Sequence, residues 1–291
     1  MIRLDAATVL LQWAVGGLLF LWVTTRRREV GIGYGWLLRA TYLLLAMGAV
    51  AAGRIGDAVV VRDVAAVGVA VASAAALVVS VVRRRAGVAG ERERVAARSA
   101  RVTAMTGIDR DADGPLEGVP EFPPALDLVA PAIGVIGLVA AGIADAADGS
   151  GAGVQALSVA RTLVGAAFLG AVSDAMLLGH WYLVQPGLGR KPLHELNRWL
   201  AIIWPFEVAL LLVPTGMLSV LSGAIDDGYG GLLGWFWIAC AVTTIALCFV
   251  TTAALKERAY SAVMAATGLL YLAILTAFGT DLVARAVLAG A

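Results

Sequence analysis

Apolar runs of about 20 residues recur along almost the whole length of the 291-residue chain. An α-helix of roughly 20 residues crosses a hydrocarbon core of about 30 Å, because each residue adds about 1.5 Å. Hydrophobic residues make up 60% of the sequence and charged residues 15%, whereas soluble domains contain about 45–50% apolar residues. These values exclude a soluble globular core and predict an all-α fold, a polytopic transmembrane helical bundle.

The charge-poor runs define about eight spans of this bundle. Their predicted limits are 6–25, 34–53, 63–82, 126–144, 160–185, 198–222, 231–254 and 259–281. The first run is interpreted as a retained span, because no small-residue cleavage signature follows it before Arg26. The hydrophilic segment 83–125 separates a three-span N-terminal part, 1–82, from a five-span C-terminal part, 126–291.

Basic residues cluster after the odd-numbered spans. The clusters consist of Arg26, Arg27, Arg28, Arg83, Arg84, Arg85, Arg190, Lys191, Lys256 and Arg258. The loops on the other side are acidic or mixed, so the positive-inside rule predicts cytoplasmic basic loops and both termini outside. We therefore expect a multi-pass protein of the plasma membrane. The net charge of +1 gives no argument for nucleic acid, and the lipid bilayer is the partner that the composition predicts.

The segment 83–125 contains a candidate surface helix. Val88, Val95 and Val102 recur at seven-residue spacing among arginines, which favours a basic amphipathic helix on the inner membrane surface. A solvated helix or a flexible linker is the alternative. A Pro/Gly/Asp-rich loop follows this helix.

The stretch 109–114 within that loop resembles the opening of a calcium-binding loop. Alternate carboxylates there are followed by a glycine. A calcium loop closes with a bidentate Glu at its twelfth position, and that position is Pro120. The stretch is therefore better interpreted as a solvated acidic turn.

Two predictions concern charges near the ends of spans. Arg39 lies about one turn inside the second span, and its long side chain is expected to snorkel to the cytoplasmic surface. Asp281 and Arg285 are four residues apart near the outer end of the last span, so they are expected to pair with each other.

The candidate functional residues are Asp174, His180 and Glu207, which interrupt the fifth and sixth spans. From the predicted limits, Asp174 lies about 16 Å and Glu207 about 12 Å from the cytoplasmic ends of their spans. An ionised acid at mid-membrane costs at least about 2.5 kcal/mol, so such groups face the bundle interior. Asp174 and His180 are about 240° apart around the helix, which makes Glu207 or water the expected partner. We therefore expect a polar intramembrane site for proton transfer or ligand binding between the two spans.

Pro205 and Pro214 flank Glu207 in the sixth span. Each proline removes a backbone hydrogen bond and is expected to kink the helix, as in many transport and channel sites. The plainer alternative is that the prolines are ordinary transmembrane residues and that the acids only fix helix packing.

His180 and His194 are the two histidines of the chain and hence its two candidate histidine ligands for a haem. Their separation of 14 residues resembles that of histidines on cytochrome-b-type helices, but in that family each histidine needs a partner on another helix. Two prolines and two glycines also interrupt the interval. Haem through His180 or His194 is therefore disfavoured, and no family assignment follows from the spacing.

The residues lead to three functional hypotheses. The leading one is a membrane subunit of a respiratory or other redox assembly that handles quinone or protons, together with other membrane subunits. The second is a proton-coupled small-molecule transporter, although no repeat between the two halves is visible, as many transporter folds would show. The third is a structural or assembly protein without a site of its own. No catalytic motif appears in the sequence.

Overall fold

The computed structural model describes residues 4–107, 120–146, 151–185, 187–212 and 216–289. In that part of the chain the secondary structure is helical and contains no strand. The α-helices are α1 Ala6–Thr25, α2 Ile32–Gly53, α3 Val60–Val82, α4 Ala89–Thr106, α5 Val129–Asp145, α6 Ala152–Trp181, α7 Lys191–Leu212, α8 Met217–Leu221, α9 Leu232–Ala254 and α10 Tyr260–Leu288. The predicted calcium-like stretch 109–114 and Pro214 lie outside the described residues.

Within the described residues, seven helices are long and apolar enough to cross a membrane. They are α1, α2, α3, the stretch Pro124–Asp145 that contains α5, α6, α9 and α10. The predicted sixth span, 198–222, differs from what is observed. Helix α7 begins seven residues earlier, at Lys191, and ends at Leu212, whereas Met217–Leu221 forms the separate helix α8. The charged residues in the first turns of α7 lower its hydropathy without interrupting its backbone hydrogen bonds.

Helix α1 occupies the interior of the bundle and packs against α2, α5 and α6. Its closest crossing is with α6, at Gly16 and Gly170. A Cβ atom added at Gly16 would lie 1.7 Å from the Ala166 carbonyl oxygen, and one at Gly170 would lie 2.1 Å from the Gly16 carbonyl carbon. Glycine is thus required on both sides of this crossing, as in closely packed membrane helices.

The basic turns after α1, α3, α6 and α9 lie at one end of the bundle, here called the basic end. Arg190 ties two of them together, because its guanidinium donates hydrogen bonds to the Leu255, Glu257, Arg258 and Ala259 carbonyl oxygens. These bonds satisfy carbonyl groups just after the C-terminus of α9, where a cation is also favoured by the helix dipole.

The helix predicted within 83–125 forms as α4 and attaches to the basic end. The Gly90 amide donates to the Arg28 carbonyl oxygen at 3.0 Å, and Arg94 Nη2 donates to the Glu29 carbonyl oxygen at 2.6 Å. No residue of α4 is buried. The helix therefore lies on the outside of the bundle.

The expectation that Arg39 snorkels to the surface is wrong. Its side chain is 2% exposed, and it forms a bidentate ion pair with Asp127, with Nε–Oδ1 and Nη2–Oδ2 distances of 2.7 Å. The 3₁₀ turn Pro124–Leu128 carries Asp127 against α2, and the Phe122 ring lies 4.1 Å from the guanidinium carbon. A distant segment thus supplies the partner that lets the charge stay inside.

The predicted pairing of Asp281 with Arg285 is confirmed. Arg285 Nε donates to Asp281 Oδ2 at 2.7 Å, and both side chains are fully buried. The pair lies in the last two turns of α10, at the end of the bundle opposite the basic end.

Candidate functional site

The structure places Asp174 and Glu207 at different depths. Asp174 lies seven residues before the end of α6 at Trp181, about 10 Å from the basic end. Glu207 lies 16 residues after the start of α7 at Lys191, about 24 Å from the same end. The expectation of matching depth fails because α7 begins earlier than its hydropathy indicates. The two acids belong to two separate polar groups.

Asp174 is fully buried among α1, α2 and α6. The Tyr42 hydroxyl donates a hydrogen bond to Asp174 Oδ1, and the Tyr34 hydroxyl donates to the Asp174 carbonyl oxygen at 3.3 Å. The Tyr42 ring lies directly against Gly17, where a Cβ atom would come within 1.9 Å of it. Asp174 Oδ2 has no hydrogen-bond partner in the described part of the chain.

Glu207 belongs to a second group, which we call the charged cluster. Arg161, Asp281 and Arg285 act electrostatically on the Glu207 carboxyl, and Asp145 acts on Arg285. These residues come from four helices: α5, α6, α7 and α10. Arg161 Nε also donates to the Leu210 carbonyl oxygen at 2.8 Å, which fixes α6 beside the last turns of α7.

The charged cluster is enclosed but incompletely hydrogen-bonded. Glu207 is 1% exposed, and neither of its carboxyl oxygens is within hydrogen-bond distance and angle of a described residue, although the Asp281 carboxyl is close enough to interact with it. Asp281 Oδ1 and both Nη atoms of Arg285 likewise lack such partners. Buried polar groups are usually satisfied; five unsatisfied atoms on three neighbouring side chains distinguish this cluster from the Arg39–Asp127 pair, in which Arg39 Nη1 is the one such atom among the described residues.

A glycine and a glutamine border the charged cluster on the side of α1 and α6. A Cβ atom at Gly165 would lie 3.0 Å from Asp281 Oδ1, 3.0 Å from Gln12 Nε2 and 3.2 Å from Arg285 Nη2. Gln12 Nε2 donates to the Thr162 carbonyl oxygen at 2.7 Å, while its Oε1 has no partner among the described residues. The absence of a side chain at Gly165 therefore leaves room where three polar groups converge.

The charges of this cluster do not balance. Within the described residues it contains three carboxyl groups, those of Asp145, Glu207 and Asp281, and two guanidinium groups. With every group ionised, the cluster carries one surplus negative charge. Asp145 and Arg161 also have interactions beyond these five groups; because burying charge is costly, a proton on one of the acids or a further cation would offset the surplus.

His180 belongs to neither group. Its side chain is exposed on the outside of the bundle, and its Nδ1 lies 3.4 Å from the Tyr271 hydroxyl. Asp174 is buried on the same helix, which agrees with the prediction that the two side chains point in different directions. Pro205 lies inside α7, two residues before Glu207.

His194 lies in a groove at the basic end. The groove has a volume of about 650 Å³ and runs between α7 and α9, with Arg198, Trp199, Phe249 and Thr252 among its lining residues. Its combination of aromatic and basic side chains was not apparent from the sequence, because the two helices that form it are about 50 residues apart in the chain.

The sequence prediction missed Tyr42, Arg161 and the role of the Asp281–Arg285 pair. Arg161 falls at the predicted start of the fifth span, where an arginine resembles an ordinary interfacial residue. The available signal was that Arg285, near the outer end of the last span, is also an arginine inside an apolar run and has Asp281 beside it. Only the packing of α6 against α7 and α10 shows that these charges meet.

No group of three or more His, Cys, Asp or Glu side chains among the described residues is arranged to hold a metal ion. Comparison with protein-family models, with curated proteins and with solved structures finds no match to this chain. The geometry of the two polar groups is therefore the basis for assigning a function.

Proposed function

We propose that the chain is an eight-span plasma-membrane protein in which α7 is the eighth span and both termini lie outside. The contacts of α7 with neighbouring helices near both of its ends support its assignment as a span. Asn197 Nδ2 donates to the Cys248 carbonyl oxygen at 2.9 Å, and Leu210, 13 residues later, accepts from Arg161. Thirteen residues of helix correspond to about 20 Å. The basic turns assign the basic end to the cytoplasm.

Within this bundle, Glu207 takes up and releases a proton, and the chain is a proton-handling subunit of a respiratory or other redox membrane assembly. The observation that supports this proposal is the burial of the Glu207 carboxyl beside a second acid, Asp281, in a cluster that contains more acids than guanidinium groups. A proton that binds Glu207 converts its carboxylate to a neutral acid and cancels the surplus charge. Losing the proton restores a charge that Arg161 and Arg285 stabilise.

Helix α7 is suited to linking this proton to movement or to a second reaction. Pro205 has no amide hydrogen, so the carbonyl of Ala201, nearly two turns before Glu207, loses its usual partner. This weakens α7 next to the acid. A change in the charge of Glu207 can then alter the bend of α7 at Pro205, because the two guanidinium groups attract only the ionised form.

A quinone is the cofactor that fits the redox version of this proposal. The groove that contains His194 combines Trp199 and Phe249 with basic groups, and its volume lies within the range of small-molecule sites. Quinone reduction consumes protons together with electrons, which another subunit would supply. Quinone extraction from the purified complex tests this version. His194→Asn should lower quinone retention without altering the protonation of the Glu207 carboxyl.

Infrared difference spectroscopy across a pH titration tests the central claim. With ¹³C-labelled glutamate carboxyl groups, a protonated-carboxyl band that shifts with the label should be present in the wild type and absent in Glu207→Gln. Glu195→Gln is the matched control, since Glu195 lies on the same helix and is ion-paired with Arg26 and Arg27. A labelled band that persists in Glu207→Gln contradicts the proposal.

The competing functions give different results in the same preparation. Copurifying subunits with quinone favour the redox assembly. Uptake that depends on a proton gradient and is lost in Glu207→Gln favours a proton-coupled transporter, a class that Pro205 inside α7 also fits. If Asp174→Asn and Glu207→Gln leave expression, stability and every activity unchanged, the proposed polar site is wrong; a loss of stability without any loss of activity favours a structural or assembly protein.

A further inference from the structure

Helix α4 crosses the basic end rather than extending away from it. Its first turn is attached to the turn between α1 and α2 through the Gly90 and Arg94 hydrogen bonds. Further along the helix, Arg98 Nη2 lies 3.9 Å from the position that a Cβ atom would take on Gly187. Gly187 belongs to the turn between α6 and α7. The helix therefore lies over two turns of the same bundle end.

A groove of about 580 Å³ separates α4 from the turn between α6 and α7. Its charged lining residues are Glu91, Arg94, Arg98 and Arg101, and its apolar lining residues are Val95, Ala97, Val102, Met105 and Val184. Three guanidinium groups thus face one carboxyl group, which gives the lining a surplus of two positive charges. Among the described residues, Arg98 and Arg101 form no ion pair.

The apolar lining of this groove is also exposed. Val95 is 63%, Met105 77% and Val184 63% exposed in the isolated chain. An exposed apolar surface beside unpaired basic groups is expected where a helix rests on a membrane interface. It distinguishes α4 from a solvated helix, whose free face would be polar.

We propose that this groove binds an anionic phospholipid, with its phosphate at Arg98 and Arg101 and its acyl chains along Val95, Val102 and Val184. Charge complementarity identifies the head group, and the apolar lining identifies a lipid rather than a free phosphate. The binding holds α4 on the inner membrane surface. It is independent of the proton proposed at Glu207.

Native mass spectrometry of the full chain in detergent, with added phosphatidylglycerol or phosphatidylcholine, tests this site. Phosphatidylglycerol should remain bound, and phosphatidylcholine should not. Juxtamembrane basic residues contribute about 1 kcal/mol each toward anionic lipid. The double variant Arg98→Gln/Arg101→Gln should therefore weaken phosphatidylglycerol binding by on the order of 10- to 30-fold.

The matched control is Arg84→Gln/Arg85→Gln, which removes two exposed arginines from the same end but outside the groove. It should retain most of the binding. Equal loss in both double variants would show general attraction to the basic end and overturn the site. Val102→Ser should weaken the lipid but not inorganic phosphate, and phosphate that binds as strongly as the lipid would show a free-anion site instead.

Discussion

Two buried Arg–Asp pairs, at opposite ends of the bundle, use the same groups in different ways. At the basic end, Arg39 binds both oxygens of Asp127, and the Phe122 ring covers the guanidinium. At the other end, Arg285 binds Asp281 through a single hydrogen bond, and both Nη atoms have no partner among the described residues. The first pair is one cation with one anion, whereas the second lies in a cluster with surplus acid.

This contrast separates a structural ion pair from a candidate site more clearly than burial does. Both pairs are almost completely enclosed, so their exposure does not distinguish them. A balanced pair loses stability when either partner is removed, because the other charge is then buried alone. A cluster with surplus negative charge should tolerate the loss of one acid. The consequences can be measured by substituting each acid with its amide.

The largest effect is expected for Asp127→Asn. This substitution removes the charge that balances Arg39 and should destabilise the protein by about 3–5 kcal/mol, measured as a shift of the unfolding transition in detergent. Arg39→Leu combined with Asp127→Leu removes both charges and should recover most of the loss. Glu257→Ala, an exposed acid at the same end, should have little effect. A small effect of Asp127→Asn would remove the distinction between the two ends.

Substituting the glycine beside each pair should likewise cost more stability at the Arg39–Asp127 pair than at the charged cluster. A Cβ atom at Gly35 would lie 2.6 Å from Arg39 Nη1, and this guanidinium is fixed by Asp127. Gly35→Ala should therefore destabilise by about 1–3 kcal/mol. At Gly165 the distances are 3.0 Å or more, and the Arg285 Nη atoms are free to move. Gly165→Ala should change the unfolding free energy by less than about 1 kcal/mol.

Gly268→Ala provides the reference for these two substitutions. No atom lies within 4 Å of a Cβ atom at this position, and alanine is favoured over glycine within a helix by about 1 kcal/mol. The variant should be slightly stabilised in the same unfolding experiment. If Gly165→Ala is as damaging as Gly35→Ala, the charged cluster is as rigid as the Arg39–Asp127 pair.

The two pairs also show what the sequence was able to predict. Asp281 and Arg285 are four residues apart on one helix, so their pairing follows from local geometry. The partner of Arg39 lies 88 residues away in a 3₁₀ turn, and local pattern cannot identify such a contact. The apolar helices could be predicted from hydropathy because, as with the Asp281–Arg285 pair, the length and polarity of a run are local properties.

The depth of Glu207 was beyond that local information. Hydropathy placed the start of the sixth span at residue 198, because charged residues precede it. The helix itself starts at Lys191, since backbone hydrogen bonds and not side-chain polarity determine its length. Because α7 starts seven residues earlier than predicted, Glu207 lies farther from the basic end than Asp174 and belongs to the charged cluster. Glu207 was singled out from the sequence as a buried acid, but Arg161 was not, and the grouping of these residues with Asp281 and Arg285 required the packing of four helices.

Glu207→Gln is expected to have a smaller effect than the substitutions at the basic end. It removes the surplus acid while retaining the shape of the side chain. The unfolding free energy should change by no more than about 1 kcal/mol, because the remaining two acids and two arginines balance. Thermal or denaturant unfolding of Glu207→Gln and Asp127→Asn in parallel measures the difference between their unfolding free energies. A loss equal to that of Asp127→Asn would mean that Glu207 is a structural counterion.

The smallest effect is expected for Asp227, whose carboxylate is stabilised by backbone amides instead of a guanidinium. Hydrogen bonds from the amides of Gly231, Tyr229 and Leu233 lower its pKa; the three donors lie 2.8–3.0 Å away. Because the folded pKa is below the unfolded value of about 3.9, this stabilisation is present above that value and is lost as the pH falls through the folded pKa.

Asp227→Asn should therefore lower the unfolding midpoint slightly at neutral pH, and the difference from wild type should disappear as the medium is acidified. Asp226→Asn is the matched control, since Asp226 accepts one such bond, from Gly228, and should lower the midpoint less at neutral pH. A difference between Asp227→Asn and wild type that persists unchanged in acid would show that charge is not what matters at this position.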